Sequence, residues 1–212
     1  MTFSAHCVLP VCINSRCILA GICFYKNRMK HKEKKSIIFL TGFMGSGKST
    51  VGPILANTMG YKFIDLDLLI EEREHRKISQ IFAAEGEQKF RLLEREMLKE
   101  ILVNNLTIIS LGGGTVANSE TLDLVKHHGV MVYLKSDAEH IFQRLRTKSD
   151  RPMLRDDNGQ LLDGADLKKK IDRLLATREQ FYQQADIVIT TDDKKIGYTI
   201  DELAKKLSPY ID

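Results

Sequence analysis

The chain has 212 residues, 43% hydrophobic and 28% charged, enough apolar material for one domain with a full core. Its formal net charge of +4 is unevenly placed, because seven of the 32 Lys/Arg but one of the 28 Asp/Glu fall in residues 1–35. The rest holds 25 bases against 27 acids, which gives no basis for a nucleic-acid surface.

The leading segment carries all four cysteines, Cys7, Cys12, Cys17 and Cys23. Cys17 to Tyr25 is apolar, but Pro10, Asn14 and Arg16 break the run before it, no small-residue cleavage site follows, and it is too short to span a membrane. The cysteine spacings match no standard zinc arrangement. We expect residues 1–35 to be a non-catalytic, poorly ordered extension, with translation starting near Met29. The cysteine-free body suits a reducing cytoplasm.

From Ser36 apolar runs and helical patterns alternate, the signature of an α/β fold with a parallel sheet covered by helices on both faces. A strand is expected over Ser36–Thr41 and a helix over Val51–Met59. Tyr61–Asp67 reads as a second strand with two carboxylates at its end. Helical patterns follow at Leu68–Arg73, Ile81–Glu85 (capped by Ser79) and Gln88–Val103. Leu106–Leu111 is a third strand, ending in Gly112-Gly113-Gly114. Asn118 or Ser119 caps a helix over Glu120–His127. Val130–Leu134 is a fourth strand, then comes a helix from Ala138 to Arg146. Lys148–Asp166 is polar, holds Pro152, Gly159 and Gly164, and reads as a mobile loop. A long helix over Leu167–Gln184, a strand at Ile187–Thr190 and a helix over Ile200–Leu207 close the chain.

Between the first strand and helix lies Gly42-Phe43-Met44-Gly45-Ser46-Gly47-Lys48-Ser49-Thr50, the G-x-x-x-x-G-K-[ST] phosphate loop in its required strand–loop–helix context. Its glycines let backbone N–H groups close on phosphate oxygens, with the positive end of a helix dipole behind them. Lys48 reaches the β- and γ-phosphates and the Ser49 hydroxyl ligates Mg²⁺. Gly45, Ser46, Gly47, Lys48, Ser49 and Thr50 are therefore the expected ATP contacts. Asp65 and Asp67, spaced by two in an extended segment, are expected to share a face. So close a pair calls for a positive partner such as a Mg²⁺–nucleotide, with capping of the next helix as the plainer alternative. The glycine triplet serves either close approach of backbone to a ligand or a loop needing positive φ. Ligands of open parallel sheets bind beyond the carboxyl ends of the strands, so these features should meet in one crevice.

Three arginines, Arg91, Arg151 and Arg178, complete a pattern that spacing alone would not single out. The segment Gly42–Gly52, the acidic run Phe63-Ile64-Asp65-Leu66-Asp67, Gly-Glu-x-x-Phe-Arg at 86–91, Ile109–Gly114, Arg151-Pro152-Met153-Leu154 and Arg178-x-x-x-Tyr182 together resemble the shikimate kinase family across Ser36–Leu207. The resemblance implies a three-layer α/β/α P-loop NTPase of the nucleoside-monophosphate-kinase type, its five-stranded parallel sheet ordered 2-3-1-4-5. It implies transfer of the ATP γ-phosphoryl to the 3-hydroxyl of shikimate, a step of chorismate and aromatic amino-acid biosynthesis, by a cytoplasmic monomer using one Mg²⁺. Lys48, Asp67 and Arg151 would be catalytic, with Asp67 orienting the attacking hydroxyl. Asp67, Arg91, Gly113 and Arg178 would bind the substrate, the two arginines gripping its carboxylate. Ser49 and Asp65 would hold the metal. Arg151, on a lid near 148–166, would neutralise phosphate charge, Arg146 would stack on adenine, and Lys194 would lie on the adenine rim. Substrate-binding helices would lie near 67–103. The stretch Arg146–Arg151 is shorter than the family's pattern, Arg155–Asp166 is longer, and the N-terminal extension has no counterpart in it. The rivals are another kinase of hydroxylated acids, such as a gluconate kinase, and a nucleotide switch; the Asn-Lys-x-Asp base-reading motif of a GTPase switch is missing from the sequence.

Overall fold

The fold is that of a computed structural model, which describes residues 36–146, 162 and 164–211. The N-terminal extension, most of the expected lid and Arg151 within it lie outside the described residues. The elements are β1 (Ile37–Thr41), α1 (Lys48–Met59), β2 (Lys62–Asp65), α2 (Leu66–Glu74), α3 (Ile78–Ile101), β3 (Thr107–Ser110), α4 (Ser119–His128), β4 (Val130–Lys135), α5 (Ala138–Leu145), α6 (Gly164–Tyr182), β5 (Ile187–Thr190) and α7 (Ile196–Leu207).

The strands form one parallel sheet in the order β2-β3-β1-β4-β5. β1 is buried along its whole length because neighbours flank it on both edges and helices cover both its faces, which is why Ile37-Ile38-Phe39-Leu40 is a continuous apolar run rather than an alternating one. Side chains still divide by parity. Ile38, Leu40, Ile108, Val130 and Val132 join Val51 and Leu55 of α1 and Leu203 and Leu207 of α7 in one core. Phe39, Ile109, Met131 and Tyr133 point the other way and pack with Leu66 and Ile70 of α2, Leu98 of α3, Val125 of α4, Ile141 of α5 and Ile171 of α6. Three layers result, as the resemblance implies.

Several boundaries differ from the sequence expectation for local reasons. β2 stops at Asp65, whose carboxylate accepts from the N–H groups of Asp67 (3.1 Å) and Leu68 (3.4 Å) and so starts a helix at Leu66. Asp67 therefore sits in the first turn of α2, and the two aspartates do not share one face of an extended strand. The two helices expected at Ile81–Glu85 and Gln88–Val103 are one element, α3, kinked at Gly86, whose φ of 76° and ψ of 174° are non-helical. Its start is fixed by Lys77, not Ser79. Gln80 Oε1 accepts from the Lys77 N–H (2.8 Å), and Glu71 Oε1 from the Ile78 N–H (3.0 Å). Gly164–Asp166, expected at the end of the loop, form the first turn of α6, which ends at Tyr182. α7 starts four residues before the expected Ile200.

Candidate active site

The carboxyl ends of β1 and β3, adjacent in the sheet, carry the two glycine-rich loops. In the first, Gly42, Gly45 and Gly47 all have positive φ, and a Cβ on Gly42 would stand 2.6 Å from the Leu134 carbonyl oxygen. The loop thus demands glycine twice over at Gly42, for its backbone angle and for its space. Lys48 Nζ donates to the carbonyls of Gly42 (2.8 Å) and Phe43 (3.0 Å), folding its ammonium back over the loop it must serve. Ser49 and Thr50 are exposed at the start of α1, where the Thr50 N–H donates to Gly47 O (3.0 Å). The Ser46 N–H donates to Phe43 O (3.2 Å), and its buried hydroxyl has no hydrogen-bond partner among the described residues.

A positioning residue missed by the sequence reading holds this loop from behind. Arg144 donates from Nη1 to Gly45 O (3.1 Å) and Ser136 Oγ (3.2 Å), and from Nη2 to Thr191 O and Asp192 Oδ1 (both 3.3 Å). It ties the phosphate loop to the ends of β4 and β5. Arg146, the expected adenine contact, is exposed at the end of α5. Helical phase separates the two arginines. Arg144 lies three residues after buried Ile141, hence near the inner face, whereas Arg146 is two residues further round. Lys194 pairs with Glu202 (2.8 Å).

Beside Arg144, His140 faces Asp137 Oδ1 from Nδ1 (2.8 Å) and Asp193 Oδ1 from Nε2 (3.2 Å), with Asp192 4.0 Å away. Both ring nitrogens can donate only in the imidazolium form. The hydrogen bonds to Asp137, then Asp193, accordingly raise its pKa above the ordinary histidine value. The bridge between α5 and the loop after β5 is complete below the unfolded pKa of about 6.5 and is lost as pH rises through the higher folded value. Melting temperatures measured from pH 6 to 9 should show His140→Gln losing less on alkalinisation than wild type; parallel curves would discount the bridge.

The second loop answers the question its glycines pose. None of Gly112, Gly113 and Gly114 has positive φ, and at Gly112 and Gly114 it is the close approach of protein side chains that requires glycine. A Cβ on Gly112 would lie 2.8 Å from Asp67 Oδ1, 2.9 Å from Glu94 Oε1 and 3.0 Å from Thr115 Oγ1. One on Gly114 would overlap the Arg91 guanidinium. At Gly113 the same atom would meet nothing nearer than the Met44 N of the phosphate loop at 3.4 Å, with Arg178 Nη1 at 3.7 Å. Three successive glycines thus seat Asp67, Arg178 and Arg91, and the structure leaves room at the middle one. Gly114→Ala should push Arg91 out of place and raise the KM for an acidic acceptor by about tenfold or more, with the KM for nucleotide unchanged. Equal effects on both constants would reject a local displacement.

The charges around the triplet are arranged unequally. Arg91 pairs with Glu87 (2.9 Å) and, through Nη1, with Glu94, and Glu94 Oε1 also accepts from Thr115 Oγ1 (2.6 Å). Burial opposes the Arg91 charge, but the two glutamates outweigh it and raise the pKa. Glu94, 2% exposed, is the second residue the sequence reading missed. Its signal was an acid inside the buried stripe Phe90, Glu94, Met97, Ile101 of α3. Arg178 by contrast has no carboxylate partner among the described residues. It donates to Gly113 O (3.2 Å) and stands over the Phe43 ring at 5.8 Å. The crevice therefore contains one neutralised guanidinium, one available for an anion, a carboxylate on Asp67 and the triphosphate-type loop.

Comparisons with known proteins agree with this geometry. The shikimate kinase family model matches residues 44–208. A shikimate kinase of Chlorobium chlorochromatii is 46% identical over 180 residues, covering 85% of this chain and 95% of its own. The shikimate kinase structure from Bacteroides thetaiotaomicron superposes with a TM-score of 0.75 at 35% identity, over 81% of this chain and 98% of that one. The Acinetobacter baumannii enzyme, solved in complex with shikimate, gives 0.73 at 30% identity, over 83% and 94% of the two chains. With these matches, and with the sheet order, phosphate loop and glycine triplet described above, the chain belongs to the shikimate kinase family.

Proposed function

We propose that the protein transfers the γ-phosphoryl of ATP to the 3-hydroxyl of shikimate, giving 3-phosphoshikimate and ADP, in the route to chorismate and the aromatic amino acids. The observation that carries this reading is the seating of Asp67, Arg178 and Arg91 on three consecutive glycines beside the phosphate loop. An acceptor with a carboxylate at one end and hydroxyls at the other suits that spread of charge. Arg178, and Arg91 beside it, take the carboxylate as planar forks. Asp67 accepts a hydrogen bond from the attacking hydroxyl and orients it, and the Gly113 N–H contacts the ring substituents. As the new oxygen–phosphorus bond forms, the bridging bond to the β-phosphate breaks with its electron pair going to ADP, and the hydroxyl proton passes along its hydrogen bond to Asp67. Alignment and charge compensation supply most of the acceleration. Lys48 and the loop Gly45–Thr50 hold the triphosphate, and Arg151 adds positive charge at the phosphates.

Ser49 and Asp65 are the residues that would hold Mg²⁺. A hydroxyl and a carboxylate are the hard oxygen donors this ion prefers, and Ser49 is exposed at the loop's mouth. The ion supplies charge neutralisation on the β- and γ-phosphates when bound. One Asp65 oxygen is engaged in capping α2, so that residue combines the structural and the ligand role. Among the described residues no helix is long and apolar enough to cross a membrane. We place the enzyme in the cytoplasm, on the cysteine-free body, and read it as a monomer. Arg146 and Lys194 on the adenine side complete the reading.

A coupled assay of ADP release with ATP, Mg²⁺ and either shikimate or gluconate tests it. Turnover dependent on shikimate is expected. Turnover with gluconate alone, or nucleotide hydrolysis indifferent to both acids, would overturn it.

A further inference from the structure

The carbonyl of Gly113 accepts two hydrogen bonds, one from Arg178 Nη1 (3.2 Å) and one from the hydroxyl of Tyr182. The two donors are one helical turn apart on α6 and so share a face. Tyr182 is fully buried, and its ring is tilted against Tyr133 at 5.1 Å. Tyr133 commits its own hydroxyl to Glu179 Oε2 (2.6 Å), and Lys135 holds the other Glu179 oxygen (3.1 Å). The Tyr182 ring is thereby fixed. Burial pushes its hydroxyl up to about 12, against the pull of Arg178, so it remains a donor at any working pH.

On the proposed reading, the substrate carboxylate needs Arg178. That guanidinium donates to the Gly113 carbonyl, so the carboxylate has to compete for it. If Arg178 moved off, a part-buried carbonyl would lose its partner unless a second donor stayed behind. Tyr182 is that donor.

We propose that Tyr182 is a positioning residue of the substrate site: it keeps the Gly113 carbonyl satisfied, which frees Arg178 to exchange that carbonyl for the acceptor's carboxylate. This rests on the shikimate kinase reading given above. Tyr182→Phe removes only the oxygen and keeps the ring packing. It should raise the KM for shikimate by roughly fivefold to twentyfold, because the carbonyl then depends on Arg178 alone. The KM for ATP and kcat should stay within about twofold. Calorimetric titration of shikimate into the nucleotide-free protein should show the same loss. In an Arg178→Ala background the further change Tyr182→Phe should alter the KM for shikimate less than about twofold, since no guanidinium is left to compete.

A merely structural tyrosine would lower the melting temperature, leave the split between the two KM values unmoved, and act equally in both backgrounds; that result overturns the proposal. Wild-type protein is measured alongside. If it does not turn over shikimate, the functional reading fails and this inference with it. If wild type is active and Tyr182→Phe binds shikimate as tightly, this inference alone fails.

Discussion

Lys48→Ala should reduce kcat by about 10³-fold or more while leaving a folded protein. The ammonium is the one side-chain cation within the phosphate loop itself, and it lies across that loop on the carbonyls of Gly42 and Phe43. Charge that develops on the transferring group and the leaving phosphate meets a cation placed in the loop itself. The fold depends on it far less. Lys48 is half-buried at the start of α1, and the loop keeps Arg144 on Gly45 and Thr191 Oγ1 on Ser46 O (3.1 Å). Loss of the two bonds should cost about 1 kcal/mol, roughly 2–4 °C in Tm for a chain of this size. Circular dichroism melts and single-turnover kinetics would separate the two effects. A variant that unfolds outright, or one retaining a tenth of wild-type kcat, would contradict this account of the loop.

Arg91→Ala is expected to have two consequences, only one of which the sequence predicts. Removing a guanidinium that pairs with a buried substrate carboxylate should weaken shikimate binding by about 2–5 kcal/mol, or roughly 30- to 4,000-fold. The structure adds a stability cost. Glu94 is almost completely buried, and Arg91 is its cationic partner, so the truncation leaves a carboxylate inside the protein with Thr115 as its remaining hydrogen-bond partner. Breaking such a pair from one side typically costs about 3–5 kcal/mol. The double variant Arg91→Ala/Glu94→Gln should recover much of the stability and none of the substrate affinity. Calorimetry with shikimate at a temperature where all three proteins are folded checks both halves. Unchanged affinity in Arg91→Ala would refute the carboxylate assignment, and an equal Tm in single and double variants would refute the buried-pair argument.

Much of the site was legible in the residue order because its parts are local. A phosphate loop needs glycine, lysine and a hydroxyl at fixed offsets between a strand and a helix, and Gly42–Thr50 supplies them in a row. Five apolar runs separated by helical patterns were enough to imply a parallel sheet whose carboxyl ends carry the loops, and all five strands occur where the runs lie. Boundaries failed where a polar side chain chose between neighbouring conformations. Asp65 could end a strand or cap a helix, and it does both, which moves Asp67 from a strand face to a helical turn.

What tertiary structure alone decided is which side chains meet the glycines and which charges are already satisfied. Arg91 and Arg178 are indistinguishable as helix arginines in the chain, yet one is paired with two glutamates and the other with a carbonyl and a phenyl face. Likewise Gly112 and Gly114 are glycine to admit Asp67 and Arg91, whereas a Cβ on Gly113 would make only ordinary van der Waals contacts. The Arg91–glutamate pairs lie within α3, but the contacts of Gly114 with Arg91, Gly112 with Asp67, Gly113 with Arg178 and Arg178 with Phe43 join residues 23 to 135 positions apart on different elements. Sequence periodicity carries information only over a few helical turns or one strand, so contacts across that distance exist only once the sheet has set the elements side by side.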